Sequence, residues 1–205
     1  IHDGWSTGLL VCELTAIYGG LQQGLRPGPV KHLQYKDFAS WQRSYWPHHR
    51  RAAAMAYWEG RLRDIPSVIS LPTDRPRRIF SGRGAEIIQV PGSELQEMLQ
   101  SFSTREGYTP FMVMLGCFQL LQHRYSGSSV LCVGTTLANR LHPQLEDMLG
   151  MVVNTLPLRS DMEGNETVRQ YLDQVRARSL EAYQYQDTPL SQLVEMVQPD
   201  RSLQH

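Results

Sequence analysis

Apolar residues recur near helical spacing at Leu9, Leu10, Cys12, Leu14, Ile17 and Tyr18, which predicts a first helix capped by Asp3 or Ser6 and ended by Gly19-Gly20. Leu21 to Pro29 is rich in Gly and Pro and reads as a loop. Two more helices are expected over 35–45 and 51–63, parted by Pro47, with Met55, Trp58 and Leu62 on one face of the second. Pro66 to Gly84 contains three prolines, two glycines and the basic cluster Arg75, Arg77 and Arg78. No regular element fits such a stretch.

The second half alternates between periods. Ala85 to Val90 reads as a strand, Ser93 to Arg105 as an amphipathic helix, and Pro110 to Tyr125 as a largely buried helix with proline in its first turn. After the turn Ser126-Gly127-Ser128, the β-rich runs Val130 to Leu137 and Met151 to Leu158 have strand length. Thr167 to Tyr183 places Val168, Leu172, Val175 and Leu180 at a 3.6 period, and Pro189 to Val197 adds a short helix. Strands alternating with helices predict an α/β fold, an α+β two-layer sandwich, without internal repeats.

Composition narrows the function classes. The 20 basic and 20 acidic side chains cancel to a formal net charge of +0, so no broad field favours nucleic acid or an anionic membrane. With 205 residues and 41% apolar content the chain can bury a core as one domain or two small ones. The longest apolar run, Phe111 to Leu121 interrupted by Gln119, is far shorter than the roughly 20 residues of a membrane span. Cys12, Cys117 and Cys132 are widely spaced, which fits a reducing cytoplasm and small buried hydrophobes, and argues against a disulfide framework or a zinc site. His2, His32, His123 and His142 lack metal-ligand spacing. No GxSxG elbow, GxxxxGK loop or GxGxxG turn occurs.

Five segments carry a more specific signal. Ile1-His2-Asp3-Gly4-Trp5-Ser6 matches the second half of an HHxxxDG motif, and Tyr35-Lys36-Asp37-Phe38-Ala39-Ser40-Trp41-Gln42 matches YxDFAxWQ. Leu71-Pro72-Thr73-Asp74-Arg75-Pro76 follows as LPTDRP, Leu149-Gly150-Met151-Val152-Val153-Asn154-Thr155 parallels IGxFVNT, and Tyr185-Gln186-Asp187-Thr188-Pro189-Leu190 parallels HQDxPFE. In this order and spacing the chain resembles the condensation domain of nonribosomal peptide synthetases. At the last motif Tyr185, Leu190 and Ser191 depart from the family's usual residues. His48-His49 is a decoy: alanines stand where the motif needs Asp and Gly, and the run reads as solvated surface.

The resemblance implies a chloramphenicol acetyltransferase-like fold of two lobes around a tunnel. It assigns residues 1–65 to part of the N-terminal lobe, 66–84 to an interlobe crossover, and 85–205 to most of the C-terminal lobe, ending before its last strand. It implies amide-bond formation between an acyl or peptidyl thioester and an aminoacyl thioester, each carried on the phosphopantetheine arm of a peptidyl carrier domain. An adjacent adenylation domain is a further implied partner, and no directly bound cofactor or metal is expected. Counting back from Asp3 puts the paired catalytic histidines upstream of Ile1, so the piece alone is expected to be inactive and prone to aggregate through exposed apolar edges. A histidine suits the task because its ordinary pKa of about 6.5 allows proton exchange near neutrality.

Among retained residues, the resemblance gives Asp3 a salt bridge across the lobe interface, with Arg140 of Gly134-Thr135-Thr136-Leu137-Ala138-Asn139-Arg140 as partner. An ordinary helix cap is the alternative for Asp3. Gly4, Trp5, Asn154, Gln186 and Asp187 are the candidate tunnel or substrate residues. For Gly4 a close backbone approach and a strain-free helix entry are both open, and for Asn154 a substrate-orienting amide stands against a structural one. Epimerisation and heterocyclisation domains of the same superfamily, and a noncatalytic carrier-docking module, are the rival functions. Trp5-Ser6-Thr7-Gly8-Leu9-Leu10 differs from the VSWRIL run typical of epimerisation domains.

Overall fold

The computed structural model describes residues 2–28, 33–45, 48–74 and 84–197, with only the backbone of 45, 48 and 49. Helices α1 (Gly4–Gln22), α2 (Tyr35–Tyr45) and α3 (His48–Leu62) occupy the first third. Then come α4 (Ser93–Glu106), α5 (Pro110–Ser126), strand β1 (Val130–Leu137), the short α6 (Pro143–Glu146), strand β2 (Asn154–Asp161), α7 (Val168–Gln184) and α8 (Leu190–Val197). β1 and β2 pair in a two-stranded sheet. The amide of Met162, just past β2, donates to the carbonyl of Ser129, just before β1, at 2.8 Å, so the strands run antiparallel.

Local chemistry explains several helix ends. Asp3 caps α1 through its carboxylate, Thr109 caps α5 ahead of Pro110, and Thr167 with Gln170 forms a capping box on α7. α5 stops where Gly127 turns left-handed at φ 70° and its amide closes on the His123 carbonyl at 2.8 Å. α1 runs through Gly19-Gly20 instead of ending there. The Gly20 carbonyl accepts from the amides of Gln23 and Leu25, and the reversal falls at Gly24, φ 74°.

The described residues group into two compact units, each discontinuous in sequence: 1–58 with 135–156 and 186–193, and 59–134 with 157–185 and 194–205. The stretch 135–156, which follows most of β1, belongs with the first helices. Residues 75–83 of the expected crossover, with Arg75, Arg77 and Arg78, lie outside the described residues, as do the His48 and His49 side chains.

In the first unit Phe38 of α2 packs with Leu145, Met148 and Val152. In the second, α5 packs on α7 and α4 on α5. α5 and α7 approach closely at Gly116, where an added Cβ would stand 2.8 Å from Leu172 Cδ2. Gln119, the polar interruption of the apolar run, is buried there: it donates to the Leu158 carbonyl at 3.2 Å and accepts from the Tyr171 hydroxyl at 2.9 Å. Burial raises the Tyr171 pKa to about 12, so the phenol stays protonated and serves as that donor.

Four expectations are corrected. Ala85 to Val90 is not a strand: it has no ladder partner among the described residues, and Ile87 is 94% exposed. α5 is only half buried, since Met114, Phe118, Leu121 and Tyr125 face away from α7. Cys12, Cys117 and Cys132 are exposed, not core residues. β2 begins at Asn154 and not at Met151, because both backbone polar groups of Val152 are taken by the side chains of Asp3 and Asn139.

Candidate functional site

The entry to α1 carries a buried polar cluster built on the motif residues. Asp3 sits at the helix N-cap in extended conformation, and its Oδ1 accepts from the Ser6 amide at 2.9 Å and the Ser6 hydroxyl at 2.7 Å. Its Oδ2 accepts from the Val152 amide at 3.0 Å. Arg140 Nη2 reaches both carboxylate oxygens, at 3.1 and 3.3 Å. Both side chains are only 2% exposed. The cap and the ion pair are therefore not alternatives, because different donors share the two oxygens.

Arg140 is oriented by backbone as well as by charge. Its Nη1 donates to the carbonyls of Leu145 and, at 2.8 Å, Met148, so the loop after β1 wraps its own arginine. Asn139 just before it takes a left-handed φ of 54°, which Asn tolerates better than most residues, and its amide donates to the Val152 carbonyl at 3.2 Å. Asp3 and Arg140 lie within one compact unit, the chain having returned to α1 by residue 140.

Burial by itself would raise the Asp3 pKa. The hydrogen bonds from Ser6 and Val152 and the Arg140 charge outweigh it and hold the carboxyl well below the usual carboxylate range. Such a group is a poor general base, since an effective one titrates near the working pH. Asp3 thus ties the entry of α1 to Val152 and Arg140.

Trp5 is half exposed, yet fixed at two points. Its indole N–H donates to the Glu146 carbonyl at 2.9 Å, and the Arg140 guanidinium stands 5.7 Å from the ring centroid. Gly4, between these anchors, has open space where a Cβ would be, so packing does not demand glycine there. Asn154 spends its amide on the protein: its nitrogen donates to the carbonyls of Gln186 at 2.9 Å and Thr188 at 2.7 Å, and its oxygen accepts from the Leu190 amide at 3.2 Å. It braces the turn that carries Gln186 and Asp187. The Asp187 carboxylate pairs with Arg50 of α3 at 3.3 Å.

Two contributors were not read from the sequence. Ser6, expected only as a possible cap, is 0% exposed and touches Gly150, 144 positions away. Gly150 itself meets the Tyr35 ring, where an added Cβ would fall 2.8 Å from Cγ. Serine three residues after a capping Asp is the only local signal. Among the described residues no group of three His, Cys, Asp or Glu side chains comes together as for a metal, and no helix is long and apolar enough to cross a membrane.

The fold and site define a mixed helix-and-sheet protein with a buried carboxylate–arginine pair at its Asp3-Gly4 motif. The family model "Condensation domain" matches residues 1–205, and the chain belongs to that family. It is 40% identical over 207 residues to phosphinothricin tripeptide synthetase PhsC of Streptomyces viridochromogenes, covering 100% of this chain and 19% of that protein. It is 39% identical over 206 residues to malpibaldin synthetase of Mortierella alpina, covering 99% of this chain and 4% of that one. The fold is that of the X-domain from teicoplanin biosynthesis, with a TM-score of 0.90 at 24% identity, covering 100% of this chain and 47% of the other. The chain thus spans a small part of the curated relatives and about half of the solved domain.

Proposed function

We propose that the protein containing this chain forms an amide bond between a carrier-bound acyl or peptidyl thioester and a carrier-bound aminoacyl group during nonribosomal peptide biosynthesis. The observation that supports this most directly is the anchoring of Asp3, Trp5 and Ser6 around an unencumbered Gly4. In the family's motif the residues just before Asp3 include the histidine that handles the amine. A rigid Asp3 fixes where such a residue points, which is worth much to a reaction limited by the alignment of two tethered substrates.

In this reading the nucleophilic amine attacks the thioester carbonyl, the C–S bond breaks, and the thiol of the phosphopantetheine arm leaves with the proton. The arms belong to upstream and downstream peptidyl carrier domains, an adenylation domain loads the aminoacyl group, and the synthetase works in the cytoplasm. Gly4, Trp5, Gln186 and Asp187 are the proposed tunnel-side residues. Asn154 contributes through the turn it braces.

The test is a carrier-to-carrier assay on the complete domain with both loaded carriers, the product bond being read by mass spectrometry. Amide product on the downstream carrier, lost with Asp3→Ala, is the expected result. An inverted α-carbon without bond formation would identify an epimerisation domain, a thiazoline or oxazoline product a heterocyclisation domain, and carrier binding without either product a docking module.

A further inference from the structure

We propose that the Ser6 hydroxyl is a positioning device for the reaction, locking Asp3 and the chain ahead of α1 onto the backbone of Gly150. The inference rests on the function proposed above and adds a residue to its machinery. Ser6 Oγ lies 2.7 Å from Asp3 Oδ1 and 2.9 Å from the Gly150 carbonyl, and accepts from the Gly150 amide at 3.0 Å and from Arg140 Nη2 at 3.1 Å. A hydroxyl has one hydrogen and two lone pairs. Gly150 and Arg140 fill the lone pairs, and the hydrogen serves Asp3 or the Gly150 carbonyl. No capacity is left over.

A serine in this setting does more than cap a helix. The cap needs only the Ser6 amide and the Asp3 carboxylate, a bond that Ser6→Ala leaves intact. The hydroxyl instead joins three segments, the α1 entry, Arg140 and the 149–152 turn, at one fully buried atom. Ser103 is a useful contrast. It is also buried, yet its hydroxyl has no hydrogen-bond partner among the described residues. With Trp5 held separately by Glu146, losing the Ser6 hydroxyl loosens one side of the Gly4 backbone while leaving the other tied.

The experiment compares Ser6→Ala, Ser103→Ala and Val175→Ala in the complete domain with loaded carriers. Val175 is a buried α7 residue remote in sequence from the cluster, and its truncation supplies a loss of thermal stability unrelated to the site. Ser6→Ala is expected to lower kcat by roughly ten- to a hundredfold, because small misplacements of reacting groups cost that much. KM for the loaded carriers should stay within about twofold. Val175→Ala and Ser103→Ala should retain kcat at temperatures where they are folded.

Unchanged kcat in Ser6→Ala, or a fall no larger than that of Val175→Ala, overturns the proposal. If the unmodified domain forms no amide product, the functional reading fails instead, and thermal unfolding still decides whether Ser6 holds Asp3. The Tm deficit of Ser6→Ala should then narrow once pH falls below about 3.9 and into the lower range where the folded Asp3 carboxyl takes up its proton, while that of Val175→Ala stays constant across that range. Parallel deficits would show that the hydroxyl does not act on the Asp3 carboxylate.

Discussion

Replacing Asp3 by alanine removes the only carboxylate that the structure places against Arg140 among the described residues, and the arginine side chain is 2% exposed. An exposed ion pair would be worth about 0–1 kcal/mol. This pair is buried, and deleting one partner strands a charge at a cost of about 3–5 kcal/mol. Nη1 keeps the Leu145 and Met148 carbonyls, which favours the lower half of that range, while losing the helix cap adds about 1 kcal/mol. The Val152 amide also loses its acceptor. Denaturant unfolding of the complete domain should therefore show Asp3→Ala less stable by about 3–5 kcal/mol. If the cost comes from the stranded charge, Arg140→Ala on top of Asp3→Ala should recover part of it, with a coupling of about 2 kcal/mol or more in the double-mutant cycle. A loss below about 1 kcal/mol, or strictly additive losses, would refute the assignment of a buried pair.

Three further outcomes follow from the same contacts. The folded Asp3 carboxyl titrates below its unfolded value of about 3.9, so its stabilisation is full above that pH and is lost as pH falls toward the lower folded value; Asp3→Asn should narrow its stability gap to wild type across that window, read by denaturant titration. Gly150→Ala drives a Cβ into the Tyr35 ring and should cost about 1–3 kcal/mol by chemical unfolding, partly relieved by Tyr35→Ala; an equal cost in both backgrounds would exclude that clash. Asn154→Ala frees the carbonyls of Gln186 and Thr188 and the amide of Leu190, so hydrogen exchange at Leu190 should accelerate and protease should cut within 186–190 first; unchanged protection there would mean the turn holds itself.

The sequence by itself determined what acts within a turn or two of chain. Caps at Asp3, Thr109 and Thr167, the left-handed stop at Gly127 and the apolar period of α7 are written in neighbouring residues, because a cap or helical face is decided within four or five positions. The motif set also carried the family, and with it the partnership of Asp3 and Arg140. Tertiary structure decided the rest. Ala85 to Val90 has strand composition, but a strand exists only where another edge takes up its hydrogen bonds. Met151 to Val153 has it too, and the side chains of Asp3 and Asn139 claim the Val152 backbone first. Burial of the Ser6 hydroxyl depends on Gly150 arriving from 144 residues away, and the amide of Asn154 turns to the 186–190 backbone because those carbonyls come within reach only after folding. Polar groups take the partners that the fold delivers, and a one-dimensional pattern does not contain the delivery.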